Sequence, residues 1–237
     1  MRESSFSRCL TYIEAQERSP RKSSKQAVLP AITISREAGA GATSVATRVA
    51  TLLEIRPEKR GAPWTVFDQN LVEKVLQDHN LPDRIHRFMP EDARPAVTGA
   101  LEEMLGLHPS SWTLQQHTVD TIYRLALLGN VIVIGRGGSI ITSQMRHVLH
   151  VRLIAPREVR IQRFCKDRGL THADADKLVQ QLDNARRRYL KSHFNADISD
   201  PLQYDLLINT GKVDFDQAAE MIAGAVQKME SADLVPA

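Results

Sequence analysis

Two glycines near residue 40 are placed where a polypeptide can bind phosphate. Gly39 and Gly41 follow a β-branched run and lead directly into an amphipathic helix pattern, with Val45, Val49, Leu52 and Leu53 on one face. Glycine allows a tight turn and a close approach of the backbone, and the start of a helix presents N–H groups without partners and a partial positive charge. The stretch therefore predicts an anion site, with a strand-to-helix turn of purely structural purpose as the alternative.

The same stretch matches the general phosphate-binding pattern G-x-x-x-x-G-K-[ST] only in part. Residues 36–43 agree with it at Gly41 and Thr43. Arg36 stands in place of the first glycine, and Ala42 stands in place of the lysine that normally reaches the outer phosphates. By spacing alone, the motif is a weak indication of nucleotide binding.

Polar residues also follow two other apolar runs. Arg136, flanked by Gly135 and Gly137, comes directly after a run that ends at Ile134, and Asp68 comes directly after Phe67. A guanidinium flanked by glycines can bind a phosphate or a carboxylate in bidentate fashion, whereas an isolated arginine is otherwise a solvated surface charge. Asp68 can accept a hydrogen bond from a sugar hydroxyl or hold a magnesium-bound water, or it can simply cap a helix.

Two arginine clusters flank the loop at Gly169–His172. The first contains Arg157, Arg160 and Arg163, and the second covers residues 186–188. A helical hairpin over the strand ends would bring such a set onto a transferring phosphoryl group as a closing lid. The alternative is a charged helix face that is balanced by nearby acidic residues.

The elements that position these residues alternate between strands and helices. The predicted strands are Ala31–Ser35, Thr65–Phe67, Val131–Ile134, Val148–Ile154 and Leu206–Asn209. The predicted helices are Thr43–Leu53, Asn70–Gln77, Glu91–Leu105, Trp112–Leu128, Pro156–Arg168, His172–Leu190 and Phe215–Met229. Strands that are apolar on both sides and are separated by crossover helices indicate a parallel sheet covered on both faces, with ligands at the carboxyl ends of the strands.

Composition limits the function classes of this chain of 237 residues. The net charge of +3 resides in residues 1–28, which carry six basic and three acidic groups, so the remainder is neutral and has no excess of basic residues for nucleic acid. No apolar run approaches the roughly 18 residues that cross a bilayer, so no membrane partner is expected. Two cysteines, Cys9 and Cys165, fit a reducing compartment, and we expect a cytoplasmic protein. The eight histidines show no metal-ligand spacing.

A basic linker separates an N-terminal helix from the main domain. Phe6, Leu10 and Ile13 have helical spacing, whereas residues 19–25 are rich in serine and charge. We expect residues 1–27 to form a helix and linker that can contact a partner or a second subunit, and residues 28–237 to form the domain. The oligomeric state is left open.

Three segments together resemble the cytidylate kinase-like proteins, a branch of the P-loop nucleoside monophosphate kinases. They are Ile32–Ser44, Val133–Gly137 and Tyr204–Gly211. The resemblance implies a three-layer α/β/α P-loop kinase fold with a five-stranded parallel sheet. It also implies a helical acceptor-binding insertion at about residues 70–128 and an arginine-rich lid hairpin at about residues 157–191.

The resemblance further implies ATP and Mg²⁺ as cofactors and a role for each matching residue. The donor phosphates would be held by Arg36, Gly39, Ala40, Gly41, Ala42, Thr43 and Ser44, and Thr43 or Ser44 would offer a hydroxyl to magnesium. Asp68 and Arg136 would bind the acceptor, although Gly137 replaces an aspartate of that family. The catalytic residues would be Arg163, Asp183 and Arg186, with Arg160 beside them and Val179 where the family has another arginine.

Three functions are compatible with these residues. The first is transfer of the terminal phosphoryl group of ATP to a nucleoside monophosphate or similar small phosphorylated acceptor. The second is a nucleotide-binding regulatory or partner-binding module with little catalysis, which Ala42 and Gly137 favour. The third is a kinase that acts on a non-nucleotide acceptor.

Overall fold

The computed structural model describes residues 11–12, 29–55, 61–68 and 113–232 of the chain. In this part, five strands form one sheet in the order β2-β3-β1-β4-β5, and all neighbouring strands are parallel. The strands are β1 (Ala31–Arg36), β2 (Thr65–Phe67), β3 (Val131–Ile134), β4 (Val148–Ile154) and β5 (Leu206–Asn209). The predicted five-stranded parallel sheet is confirmed.

Helices cover the sheet and connect its strands. They are α1 (Ala42–Glu54), α2 (Thr113–Leu128), α3 (Gly138–Ile141), α4 (Arg157–Arg168), α5 (His172–Phe194) and α6 (Phe215–Ala232). A single 3₁₀ turn at Pro201–Gln203 precedes β5 in the described part of the chain. Among the helices of the described residues, none is long and apolar enough to cross a membrane.

One face of the sheet carries the apolar core. Val45, Val49 and Leu53 recur at helical spacing on α1, and all three are buried. They pack with Ile222 and Val226 of α6 against the sheet. The removal of this apolar surface from water contributes about 25 cal/mol per Å² and holds α1, with the loop before it, at the end of β1.

The opposite face of the sheet carries polar side chains from β1 and β4. Thr33 lies beside His150 in register, and its Oγ1 lies 2.8 Å from Nδ1 of that histidine. Two residues further along, a guanidinium N–H of Arg152 donates a hydrogen bond of 2.7 Å to Ser35 Oγ. Because side chains alternate along a strand, these polar pairs share one face and lead towards the carboxyl edge of the sheet.

The observed helices and strands differ from the sequence prediction mainly at their ends. β1 continues one residue further because Arg36 still pairs with Leu153 of β4. The C-terminal end of α5 lies at Phe194 rather than at Leu190, and the helix stops where Asn195 takes a left-handed conformation at φ 49°. The short helix α3 was not predicted, because four residues are too few to show a period. The helices predicted at Asn70–Gln77 and Glu91–Leu105, and most of the acceptor-binding insertion, lie outside the described residues.

Tyr12 ties the N-terminal segment to the domain. Its side chain is fully buried, and its hydroxyl donates a hydrogen bond of 2.7 Å to the carbonyl oxygen of Gly129. The ring meets Phe67 edge to face at a centroid distance of 5.9 Å. Sequence analysis did not identify this anchor, and the remaining calls on residues 1–27 lie outside the described residues.

Candidate active site

The loop between β1 and α1 depends on its two glycines. Gly39 and Gly41 have φ angles of 79° and 81°, in the region where a Cβ atom is strained. A Cβ on Gly39 would come within 2.8 Å of the carbonyl oxygen of Arg160, and one on Gly41 would overlap the ring of Phe215. Both glycines are therefore required by backbone conformation and by close packing.

The first turn of α1 is open to a ligand. Gly41 is the residue before the helix, and no side chain in the described residues caps the turn. Thr43 and Ser44 are exposed, and their hydroxyls make no hydrogen bond to another described residue. The N–H groups of this turn and the partial positive charge of the helix start can therefore accept an anion.

Side chains of the α4–α5 hairpin, which we call the lid, bind the loop backbone. Asp183 accepts a hydrogen bond of 2.7 Å from the N–H of Ala38 and pairs with Arg160 at 2.6 Å. Arg163 donates to the carbonyl oxygen of Gly39 at 3.0 Å and to that of Thr210 at 2.6 Å. Two of the predicted catalytic residues, Asp183 and Arg163, are thus in contact with the glycine loop.

An aromatic ring lies against the same loop. Phe215, at the start of α6, packs on Gly41, and the Arg163 guanidinium lies over its ring at 4.7 Å from the centroid. Arg48 approaches this ring at 5.7 Å. Burial lowers the pKa of Arg163, and the negative face of the ring partly compensates the desolvated charge.

A cavity of about 300 Å³, the first cavity, opens at the carboxyl edge of the sheet. Its walls are the end of β1, the turn that follows β3 and one side of α5. Three guanidinium groups line it, those of Arg36, Arg136 and Arg186, together with the apolar side chains of Leu182 and Tyr189. The cavity suits an organic molecule that carries an anionic group.

Glycines make room for the arginines of this cavity. Arg136 itself is left-handed at φ 55°, and its guanidinium lies over the ring of Tyr189 at 5.5 Å. A Cβ on Gly135 would overlap the guanidinium of Arg36, so the glycine allows that side chain to cross the end of β3. The predicted Gly-Arg-Gly arrangement therefore brings two arginines into the cavity instead of one.

Comparison with known proteins decides the family. The family model described as "Cytidylate kinase-like family" matches residues 31–212, well over half of the chain. The chain belongs to the cytidylate kinase-like family.

Two relatives share a low sequence identity with this cytidylate kinase-like chain. It is 28% identical over 109 residues to a cytidylate kinase of Methanocaldococcus jannaschii, a match that covers 45% of this chain and 61% of that protein. It is 26% identical over 116 residues to a uronate isomerase of Corynebacterium glutamicum, which covers 49% of this chain and 22% of that protein. The chain thus spans less than two thirds of the length of either relative.

A solved structure shares the fold. An uncharacterized protein from Eubacterium ventriosum superposes with a TM-score of 0.64 at 20% identity, over 84% of this chain and 98% of that one. At this identity the likeness concerns the fold alone.

The electrostatic potential in the first cavity of this cytidylate kinase-like chain is strongly positive. The pKa of Arg36 is lowered to about 10, mainly by burial and also by the neighbouring charges of Arg186 and Arg136, against the opposing effect of Asp68. Burial likewise lowers the pKa of Arg186, although Asp183 beside it raises the value. Cations that repel one another in a partly dry cavity favour an anionic ligand.

The structure arranges the predicted site residues in two groups. Gly39–Ser44, Arg163 and Asp183 lie at the loop. Arg136 and Arg186 line the first cavity, as does Arg36, which was predicted with the donor loop, and Asp68 is close enough to influence the Arg36 charge. Sequence analysis missed Tyr189 and Phe215 as parts of the site. Tyr189 could have been found from its spacing, three residues after Arg186 on one helix.

Proposed function

We propose that this chain transfers the terminal phosphoryl group of ATP to a small phosphorylated acceptor of the nucleoside monophosphate class. One observation carries the proposal. Arg36, Arg136 and Arg186 converge on a single cavity at the carboxyl edge of the sheet, whose central strand continues into a glycine loop and an uncapped helix. Family membership and the cytidylate kinase of M. jannaschii among the relatives support the same reaction type.

Such a reaction asks the protein for position and charge rather than for covalent chemistry. In this proposal the first turn of α1 binds the donor phosphates, and Arg136 binds the acceptor phosphate. Arg186 stabilises the negative charge that develops between donor and acceptor, and Asp183 and Arg163 hold the loop in place. Asp68 orients the acceptor.

Magnesium fits the donor side of this arrangement. The exposed hydroxyls of Thr43 and Ser44 lie at the first turn of α1 without a partner among the described residues, and Mg²⁺ prefers oxygen ligands beside phosphates. When bound, the ion would neutralise phosphate charge. We place the reaction in the cytoplasm because two cysteines in the whole chain suit a reducing compartment.

A second candidate function is nucleotide binding without efficient turnover. Ala42 replaces the lysine of the general motif, and no lysine lines the first cavity. The arginines that line the first cavity carry the positive charge instead.

A coupled assay separates the two functions. ATP and Mg²⁺ would be supplied with a panel of nucleoside monophosphates and phosphorylated sugars, and nucleotide binding would be measured in parallel by calorimetry. We expect ADP release that depends on one acceptor class and is lost in Arg136→Ala but kept in Arg146→Ala, an exposed arginine before β4 that serves as the charge-matched control. Nucleotide binding without turnover on any acceptor would select the second function.

A further inference from the structure

A second cavity, of about 250 Å³, lies on the other side of Arg36 and Arg186. The ends of β1 and β4, the start of α4 and a different side of α5 line it. Six arginines face it, against two carboxylates, Glu37 and Asp183. The arginines are Arg36, Arg152, Arg157, Arg160, Arg186 and Arg187. Unlike the first cavity, it is lined almost entirely by charged and polar groups.

Arg160 contacts both carboxylates. Arg160 pairs with Asp183 at 2.6 Å and approaches Glu37 at 3.4 Å. Asp183 also pairs with Arg186 at 3.2 Å, and Glu37 accepts a hydrogen bond of 3.0 Å from the N–H of Ala155. Both carboxylates are thus engaged by other groups, and neither forms an ion pair with Arg152.

Arg152 lines this cavity and is a buried cation without an anionic partner in the described part of the chain. It is only 6% exposed. Its guanidinium has five N–H groups, of which one is bonded to Ser35 Oγ, and no carboxylate among the described residues forms an ion pair with it. A buried cation without a paired anion is costly in free energy.

The position of Arg152 is held by the surrounding structure. Its guanidinium lies 5.6 Å from the centroid of the Tyr204 ring, and the hydroxyl of that tyrosine donates to the carbonyl oxygen of Ile198 and lies 3.2 Å from Ser35 Oγ. The arginine is therefore preorganised, and a ligand need not pay to order it.

Repulsion within the cavity points to the same missing partner. The charge of Arg152 lowers the pKa of both Arg36 and Arg186, in addition to the effect of their burial. A bound anion would compensate for the desolvation of these guanidinium groups and for the repulsion between them.

We propose that the second cavity binds a phosphate group through Arg152, with Arg36 and Arg186 completing the contact from the wall that the two cavities share. A phosphate has several acceptor oxygens, and charge-assisted hydrogen bonds from guanidinium groups to it are strong. The phosphate is either a free anion or a second phosphate group of the acceptor. A free anion would bind whether or not the proposed function holds, whereas the second source rests on the proposed function. Binding of orthophosphate requires no turnover, so it tests the site separately from that function.

Calorimetry with orthophosphate at constant ionic strength tests the proposal. We expect two classes of site in the wild type, one of which is weakened at least tenfold in Arg152→Gln. Arg152→Lys, which keeps the charge, should retain part of the affinity. Arg146→Gln should bind as the wild type does, because that exposed residue lies before β4, at the other edge of the sheet.

The thermal stability of the Arg152→Gln variant serves as the folding control. Since Arg152→Gln removes a buried cation and can keep the hydrogen bond to Ser35, its midpoint of thermal unfolding without phosphate should not fall below that of the wild type. Phosphate should raise the midpoint of the wild type more than that of the variant.

Crystals grown with tungstate, a heavy mimic of phosphate, would locate the anion in the wild-type protein. The expected result is tungstate within hydrogen-bond distance of Arg152. Unchanged orthophosphate binding in Arg152→Gln, or tungstate at other places only, would overturn the proposal.

The two sources of the phosphate group differ in their response to nucleotides. If the group belongs to the acceptor, Arg152→Gln should weaken binding of cytidine 3′,5′-bisphosphate about tenfold and leave cytidine 5′-monophosphate unchanged. If the group is a free anion, the variant should bind both nucleotides as the wild type does and lose only orthophosphate affinity.

Discussion

Helix α5 contributes a different side to each of two cavities, one partly apolar and the other almost entirely polar. Leu182, Ala185 and Tyr189 line the first cavity, whereas Gln180, Asp183 and Arg187 line the second. Each set follows the helical spacing of three to four residues, so the two sets lie on two sides of the same helix. Arg186 lies between them and reaches both cavities.

The difference shows how two sides of one helix can contact chemically different parts of a ligand. The apolar side offers surface to an organic group, and the polar side offers only charge and hydrogen bonds. Arginines shared by both cavities couple the two, because a charge bound in one changes the electrostatic potential in the other. The following predictions test whether the two sides are distinct.

Removal of Arg186, an arginine that lines both cavities, should have the largest effect. Arg186→Ala should lower kcat about 100-fold or more, because a guanidinium that stabilises developing charge in a partly dry site contributes most in the transition state. Steady-state kinetics would measure it. An effect confined to KM would contradict the proposed role of Arg186 and assign it to ground-state binding.

The second largest effect is expected from a substitution that affects only the first cavity. Arg136→Ala should raise the KM for the acceptor about tenfold or more with kcat changed less than about threefold, since it removes a charge-assisted contact of about 1.5–3 kcal/mol. Initial rates over a range of acceptor concentrations provide the measurement. Negligible effects in both Arg136→Ala and Arg186→Ala would refute both assignments.

A matched pair on α5 would sharpen the contrast between its two sides. Leu182→Ala should weaken acceptor binding roughly tenfold, because it removes an apolar contact of about 1–2 kcal/mol from the first cavity. Gln180→Ala changes the other side and should leave acceptor binding within about twofold. Equilibrium binding of the acceptor would be compared after circular dichroism has confirmed folding, and equal losses in the pair would contradict the distinction.

The smallest expected effect is a change in the pH dependence of stability, and it concerns His150 on the polar face of the sheet. Burial lowers the pKa of His150, which Asp205 opposes only in part, so its folded pKa lies below the ordinary value of about 6.5. The unfolded state then binds more protons as the pH falls, and the wild type loses stability below about pH 6.5.

His150→Gln should remove that loss. Between pH 7 and pH 5, the free energy of unfolding should fall by on the order of 1 kcal/mol less in the variant than in the wild type. Urea denaturation at several pH values would measure both slopes. Parallel slopes would mean that His150 is not the group that titrates.

Much of the fold could be predicted because local patterns determine it. β3 was predicted with its observed bounds, Val131–Ile134, because a β-branched run before a Gly-Arg-Gly turn permits little else. The start of α5 at His172 was also predicted correctly, and the structure shows that the side chain of Thr171 caps it by accepting a hydrogen bond from the N–H of Asp174. The short α3 and the anchor Tyr12 were missed, since neither belongs to a periodic pattern in the sequence.

The site was predictable in its residue types and less so in its arrangement. Arg136 and Arg186 could be singled out because glycines surround one and a helical cluster contains the other. Arg36 was assigned to the donor loop, yet it lines both cavities, because its side chain crosses Gly135. Arg152 was not singled out because it lies inside an apolar strand run, although its side chain lines the second cavity.

Sequence alone determined the alternation of strands and helices, the glycine loop and the family resemblance, because each depends on residues that are neighbours along the chain. Tertiary structure alone decided which arginines share a cavity, which carboxylates neutralise them and which cation is buried without an anion. Those properties arise from side-chain direction and desolvation, which exist only when segments as distant as β1, β4 and α5 pack together.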